Sequence, residues 1–168
     1  MLNENQVYLA LKQWLHKEGW LVVGGEPPGG TNDIPVVEMK NATHTMKGSK
    51  GSRKIDLVAF RDGYFLLIEC KPSFSKSDVD KLNEVVSQKK WRAAFVRAVT
   101  EKRIAQRLLL TSKDLARYVD QPQLLIKAVG FSQSTKKGPE DFITLCLTRE
   151  NVIPYFGRKI PDVIRKLF

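Results

Sequence analysis

The sequence predicts an α/β domain, and three observations predict it. An amphipathic helical repeat opens the chain, two short apolar runs flank Asp62-Gly63 near its middle, and helical and strand-like segments alternate to the end. No internal repeat or composition break marks a second domain within the 168 residues, so residues 1–168 read as one unit with enough apolar side chains for a core.

Asn3 to Lys17 carries Val7, Leu11, Trp14 and Leu15 at helical spacing, with Asn3 as N-cap and Gly19 as stop. Glu4 lies three residues before Val7 and so shares the apolar face at the first turn, where a carboxylate can lie along the edge of the core. A first-turn acid also serves simply to complement the helix dipole. Trp20 to Val23 suits a first strand. Residues 24–54 then form a long basic, Gly-rich loop region, bracketed by GGEPPGG and KGSKGSRK. The cations Lys47, Lys50, Arg53 and Lys54 suit phosphate contact there, and an exposed linker equally well. Glu38-Met39-Lys40 has a Glu-x-Lys spacing but no Asp-Gly turn to bring a second carboxylate opposite Glu38.

Arg53 to Pro72 reads RKIDLVAFRDGYFLLIECKP. Asp-Gly between alternating hydrophobics signals a two-residue β-hairpin. The turn places Arg61 opposite Tyr64, Phe60 opposite Phe65 and Asp56 opposite Glu69. The last pair falls on the closely spaced, non-hydrogen-bonded kind, with Cβ atoms roughly 4.5–5.5 Å apart. Lys71, two residues beyond Glu69, projects from the same face. A divalent cation would turn the repulsion between the carboxylates into ligation, and hard oxygen ligands suit Mg²⁺ or Mn²⁺. A structural ion pair with Lys71 is the plainer reading. Against it, Glu69 interrupts the apolar run FLLIECK, whose interior strand makes an unpaired charge costly.

Ser77 or Asp78 caps a helix through about Lys90, with Val79, Leu82 and Val85 or Val86 buried. Lys81, Lys89 and Lys90 fall on or beside its polar sides, within reach of a phosphate or as plain surface. Ala93 to Val99 reads as a further strand, with helix left open by its periodicity. Glu101 to Leu110 reads as helix and Ser112 caps another through Tyr118. Leu124 to Phe131 and Phe142 to Thr148 read as a late β-hairpin, and IPDVIRKLF as a short closing helix.

Composition narrows the function classes. No stretch approaches a membrane span and MLNENQ lacks the basic and apolar regions of a signal peptide, so no membrane partner and a cytoplasmic location are expected. Cys70 and Cys146 are too few for a disulfide scaffold and lack zinc-finger partners. Neither His16 nor His44 has a partner that makes it a ligand or base. The 28 Lys and Arg against 18 Asp and Glu, a formal charge of +10, favour a polyanionic partner.

A helix with an acid in its first turn, a strand, Asp56, and Glu69-Cys70-Lys71 on a hairpin followed by a helix resembles the PD-(D/E)xK, or restriction-endonuclease-like, nuclease superfamily. This superfamily includes archaeal Holliday-junction resolvases and virus-type repair nucleases. The resemblance covers about Asn3 to Lys90. Ile55 stands at the family's nominal proline, and no Gln-x-x-x-Tyr pattern follows the lysine. The resemblance implies an αβββαβ core with a mixed central sheet flanked by helices, and a divalent-metal-dependent DNA endonuclease. It further implies that Asp56, Glu69 and the Cys70 backbone carbonyl hold Mg²⁺ or Mn²⁺, that Lys71 orients or deprotonates the attacking water, and that Glu4 stands near the metal. Duplex or branched DNA is the implied substrate, and a homodimer fits cutting of both strands. A non-cleaving nucleic-acid-binding or assembly module on the same fold, or an RNA-directed nuclease, is the alternative.

Overall fold

The computed structural model describes residues 2–29, 34–41, 51–132 and 138–168. Its first helix, α1 (Glu4–Lys17), begins as the sequence predicts: the Asn3 side chain accepts from the Gln6 N–H and the Gln6 side chain accepts from the Asn3 N–H, at 2.9 Å each. This reciprocal capping box satisfies two donors that the helix cannot. Val7, Tyr8, Leu11, Trp14 and Leu15 are buried, and Gly19 leaves the helix at φ +83°.

The strands follow as β1 (Leu21–Gly25), β2 (Glu38–Lys40), β3 (Ser52–Lys54), β4 (Leu57–Arg61) and β5 (Tyr64–Cys70). Helices α2 (Lys76–Ser87), α3 (Lys89–Glu101), α4 (Ile104–Arg107) and α5 (Ser112–Asp120) fill the crossover to β6 (Leu125–Phe131). The chain then runs through β7 (Ile143–Leu147), β8 (Val152–Phe156) and α6 (Asp162–Arg165). Six strands form one mixed sheet in the order β1-β4-β5-β6-β7-β8, and β2 pairs with β3 in a separate ribbon. The ribbon lies within the stretch expected as loop and sets Lys54, not an acid, opposite Glu38.

The hairpin register is the expected one. Arg61 faces Tyr64, Phe60 faces Phe65, and the ladder runs to Leu57 opposite Ile68. Asp62 and Gly63 take φ +49° and +84°, the left-handed pair that a two-residue turn of this twist requires. On its other edge β5 pairs in parallel with β6, and β6 in parallel with β7.

Four expectations need correction. Residues 93–99 are helix: Trp91, Ala94, Phe95, Ala98 and Val99 are the buried apolar positions of α3, a 3.6-residue period that a strand cannot bury on one face. The preceding helix begins at Lys76 with Ser75, not Ser77 or Asp78, as its N-cap, and stops at Ser87 because Gln88 is extended and caps both α2 and α3, so Lys89 and Lys90 open α3. The helix expected over 101–110 is broken at Arg103 and at Leu109, both with positive φ. Finally, β6 and β7 are parallel neighbours, and the late hairpin is β7–β8. All five residues of β7 are buried, as suits a strand covered on both faces. Pro154 conceals β8 in the sequence and is tolerated because β8 is an edge.

Two apolar layers hold the sheet. One packs Val58, Phe65, Leu67 and Phe131 against Leu82, Phe95 and Tyr118 of the crossover helices. The other packs Leu57, Leu66, Ile68 and Leu145 against Leu11 and Leu15 of α1 and Ile164 of α6. Gly130 of β6 sets the height of α1, since a Cβ there would stand 2.2 Å from Leu11 Cδ1.

Candidate active site

The site lies where β5 ends and the two layers meet. The ladder stops one pair short of Asp56, which sits in a bend before β4. Its side chain replaces the missing ladder acceptor: Oδ2 accepts from the Cys70 N–H at 2.8 Å. Its backbone carbonyl accepts from the Glu26 N–H at 3.0 Å. Strand β1 comes this close because residue 25 is glycine, where a Cβ would stand 2.5 Å from the Asp56 carbonyl oxygen.

Glu69 is 1% exposed. Its Oε2 accepts from Lys81 Nζ at 2.6 Å, and its Oε1 is buried with no hydrogen-bond partner. Burial, and after it the charge of Asp56, push the Glu69 carboxyl up to about 8 against the pull of Lys81. Burial also raises Asp56, with the Cys70 N–H, Lys71 and Lys81 opposing. Both shifts point the same way: burial makes the ionised form of each carboxyl costly, and the nearby lysines offset only part of that cost.

Lys71 Nζ donates to Glu4 Oε1 at 2.6 Å and lies 3.9 Å from Asp56 Oδ2. Burial, the largest single influence, pushes the ammonium's pKa down, but the Glu4 hydrogen bond and the charges of Asp56, Asp78 and Glu4 together carry it above the ordinary lysine value. Glu4 is therefore brought to the site by a contact spanning 67 residues. Cys70 gives its N–H to Asp56 and buries its thiol in the α1 layer, free of disulfide.

The structure assigns partners that sequence spacing does not. Lys81 reaches Glu69 and the Lys54 carbonyl, at 2.6 and 3.0 Å. Asp78, expected as a cap, is 9% exposed with Oδ2 unpartnered, and its charge acts on both Glu69 and Lys71. The three-residue spacing of Asp78 and Lys81 on one helix face was the available signal. The other expected nucleic-acid contacts are largely engaged. Arg53 pairs with Glu84 at 3.1 Å and lies 5.2 Å over the Trp91 ring. Lys54 pairs with Glu26 at 2.9 Å, Lys89 with Asp120 at 3.1 Å, and Lys90 Nζ stands 5.9 Å over Trp91. Lys47 and Lys50 lie outside the described residues.

Among the described residues no three His, Cys, Asp or Glu side chains form a metal-binding group. A cation here would rest on Asp56, Glu69, backbone oxygen and water, a donor set with the few carboxylates and retained waters that Mg²⁺ favours. The orphaned Glu69 Oε1 fits such an ion. No helix among the described residues is long and apolar enough to cross a membrane. No family model, curated protein or solved structure matches the chain.

Proposed function

We propose that the chain is a divalent-metal-dependent DNA endonuclease on a restriction-endonuclease-like fold. One observation carries this reading: Glu69 holds a buried carboxylate oxygen with no partner, beside the charge of Asp56. Such a group costs stability unless something ligates it. The helix–strand–hairpin–helix order from α1 to α2, and the formal charge of +10, support the same reading.

Asp56 and Glu69, with the Cys70 carbonyl, are the residues that would hold Mg²⁺. When bound, the ion supplies Lewis-acid polarisation of a phosphodiester and stabilisation of the leaving oxygen. Lys71, raised above its ordinary pKa, is a cation at neutral pH. It orients the attacking water and offsets charge on the phosphate oxygens, and Glu4, its 2.6 Å partner, is the carboxylate placed to accept the proton that water releases.

The Lys81–Glu69 ion pair favours a second reading, a non-cleaving nucleic-acid module in which a lysine permanently fills the cation's place. One assay separates the two. Wild type, Asp56→Ala and Lys71→Ala are incubated with supercoiled, linear, nicked and branched DNA, and with RNA, in Mg²⁺, Mn²⁺ or EDTA. The nuclease reading expects DNA cleavage by wild type alone, abolished by EDTA. Cleavage that survives EDTA or both substitutions overturns the assigned site, and binding without cleavage establishes the second reading.

A further inference from the structure

Beside the engaged cations around the hairpin, the corner formed by α4 presents a different surface. The end of α4 is a Schellman motif: the Leu109 N–H donates to the Gln106 carbonyl at 3.1 Å and the Leu110 N–H to the Ala105 carbonyl at 3.0 Å. The left-handed residue of this motif is usually glycine. Here it is Leu109, at φ +56° and 86% exposed. Leu110 supplies the motif's apolar contact with the core, so Leu109 accepts a disfavoured backbone and receives no burial in return. The end of α3 repeats the choice, with exposed Arg103 at φ +60°.

Lys102, Arg103 and Arg107 flank or end α4 just before this tip and are exposed. None forms an ion pair with another described residue, unlike Arg53, Lys54, Lys81 and Lys89. The corner is tied to the candidate active site: Ile104 packs beside Gly24, and Gly25 lies against the Asp56 carbonyl. A strained, exposed apolar tip on the same short corner as three cations without an ion pair matches a ligand with phosphates outside and an apolar stack within.

We infer that the α4 corner is a nucleic-acid contact in which Leu109 enters an opened base step while Lys102, Arg103 and Arg107 hold the flanking phosphates. The inference rests on the proposed DNA substrate and names the form it takes, DNA with a step that opens easily, as at a nick, end or junction. Leucine is among the side chains that wedge between base steps. A bilayer is the poorer match, because interfacial anchoring draws on a whole apolar helix face and this corner offers one side chain.

The test uses the full chain in EDTA with a junction DNA carrying 2-aminopurine at the branch. Wild type is expected to raise the fluorescence. Leu109→Ser is expected to lose that rise and about tenfold in affinity, and Leu109→Met to keep both. Arg103→Gln with Arg107→Gln is expected to lower the slope of log affinity against log salt by about one per residue. Leu109→Gly separates a contact from a structural role: glycine suits the backbone, so its melting temperature is expected to rise while binding falls. Unchanged affinity and fluorescence in Leu109→Ser and Leu109→Gly overturn the inference, as does Leu109-dependent sedimentation with anionic vesicles in the absence of DNA binding. If wild type cleaves in Mg²⁺ while these variants bind normally, the inference alone fails. If the Leu109-dependent signal appears and wild type does not cleave, the nuclease reading alone fails.

Discussion

Lys81 Nζ lies 2.6 Å from Oε2 of Glu69, a carboxylate 1% exposed at the end of a central strand. Twelve residues separate them in sequence, and helix α2 brings them together. Removing the ammonium leaves a buried charge without compensation. Lys81→Met is therefore expected to destabilise the fold by about 3 kcal/mol at pH 9, with a smaller loss near pH 5, where Glu69 holds its proton. Adding Glu69→Gln should restore much of the loss. Urea unfolding of the two single variants and the double measures this; equal losses at both pH values, or additive effects, contradict it.

The same carboxylate sets a pH dependence. In the fold Glu69 binds its proton with a pKa of about 8, against 4.5 for the free side chain. Between those values the folded state holds more protons than the unfolded one, so stability falls as pH rises through the window and levels off above it, at up to about 1.4 kcal/mol per pH unit. The raised Asp56 carboxyl adds in the same direction. Glu69→Gln should flatten the slope. Mg²⁺ should raise the melting temperature at pH 8 with release of a proton, an effect that EDTA reverses and Glu69→Gln lacks.

Two glycines predict contrasting outcomes. At Gly25 a Cβ would stand 2.5 Å from the Asp56 carbonyl oxygen and 3.3 Å from Leu57 Cδ2, so Gly25→Ala should cost about 1–3 kcal/mol and shift Asp56 enough to suppress cleavage. At Gly63 a Cβ meets nothing within 4 Å, and only φ +84° opposes a side chain. Gly63→Ala should cost about 1 kcal/mol and keep its activity. Paired melting curves and cleavage rates decide; equal loss of activity in both removes the positioning role of Gly25.

Glu4 separates stability from chemistry. The Lys71–Glu4 pair is one-third exposed on each side, and such pairs contribute at most about 1 kcal/mol. Glu4→Gln should leave the melting temperature within a few degrees of wild type while lowering the cleavage rate at least about tenfold. An unchanged rate would reduce Glu4 to a helix-dipole acid.

What could be read ahead of the structure was local. Asp62-Gly63 determines its own backbone, and the register from Leu57 to Ile68 follows from that turn without help from the rest of the chain. Asn3 and Gly19 bound α1 for the same reason. The parallel pairing of β6 with β7 has no such local determinant, because parallel partners are chosen by crossovers and burial on both faces. The partners of Glu69 and Lys71 were equally hidden. Sharing a strand face suggests that they meet each other, yet each finds a closer partner on a helix, Lys81 from α2 and Glu4 from α1. Arg53 and Lys54 look like free cations in a Gly-rich stretch, and only folding shows that Glu84 and Glu26 occupy them.

The seating of α1 on the bare backbone at Gly130 also orders events during folding. Asp56 and Glu69 are joined by a hairpin, a short loop that closes on the microsecond scale. Glu4 and Lys71 are 67 residues apart, and the part of α1's seat at Gly130 is complete only once β6 has crossed over to pair with β5. Loop-closure entropy grows with the span enclosed, so the acid pair is expected to form before its helical companion arrives, an order that stopped-flow refolding of Glu4→Gln and Gly63→Ala would check. A chain stalled before that crossover would already carry the two carboxylates together, with Lys71 still lacking the partner that holds it in place.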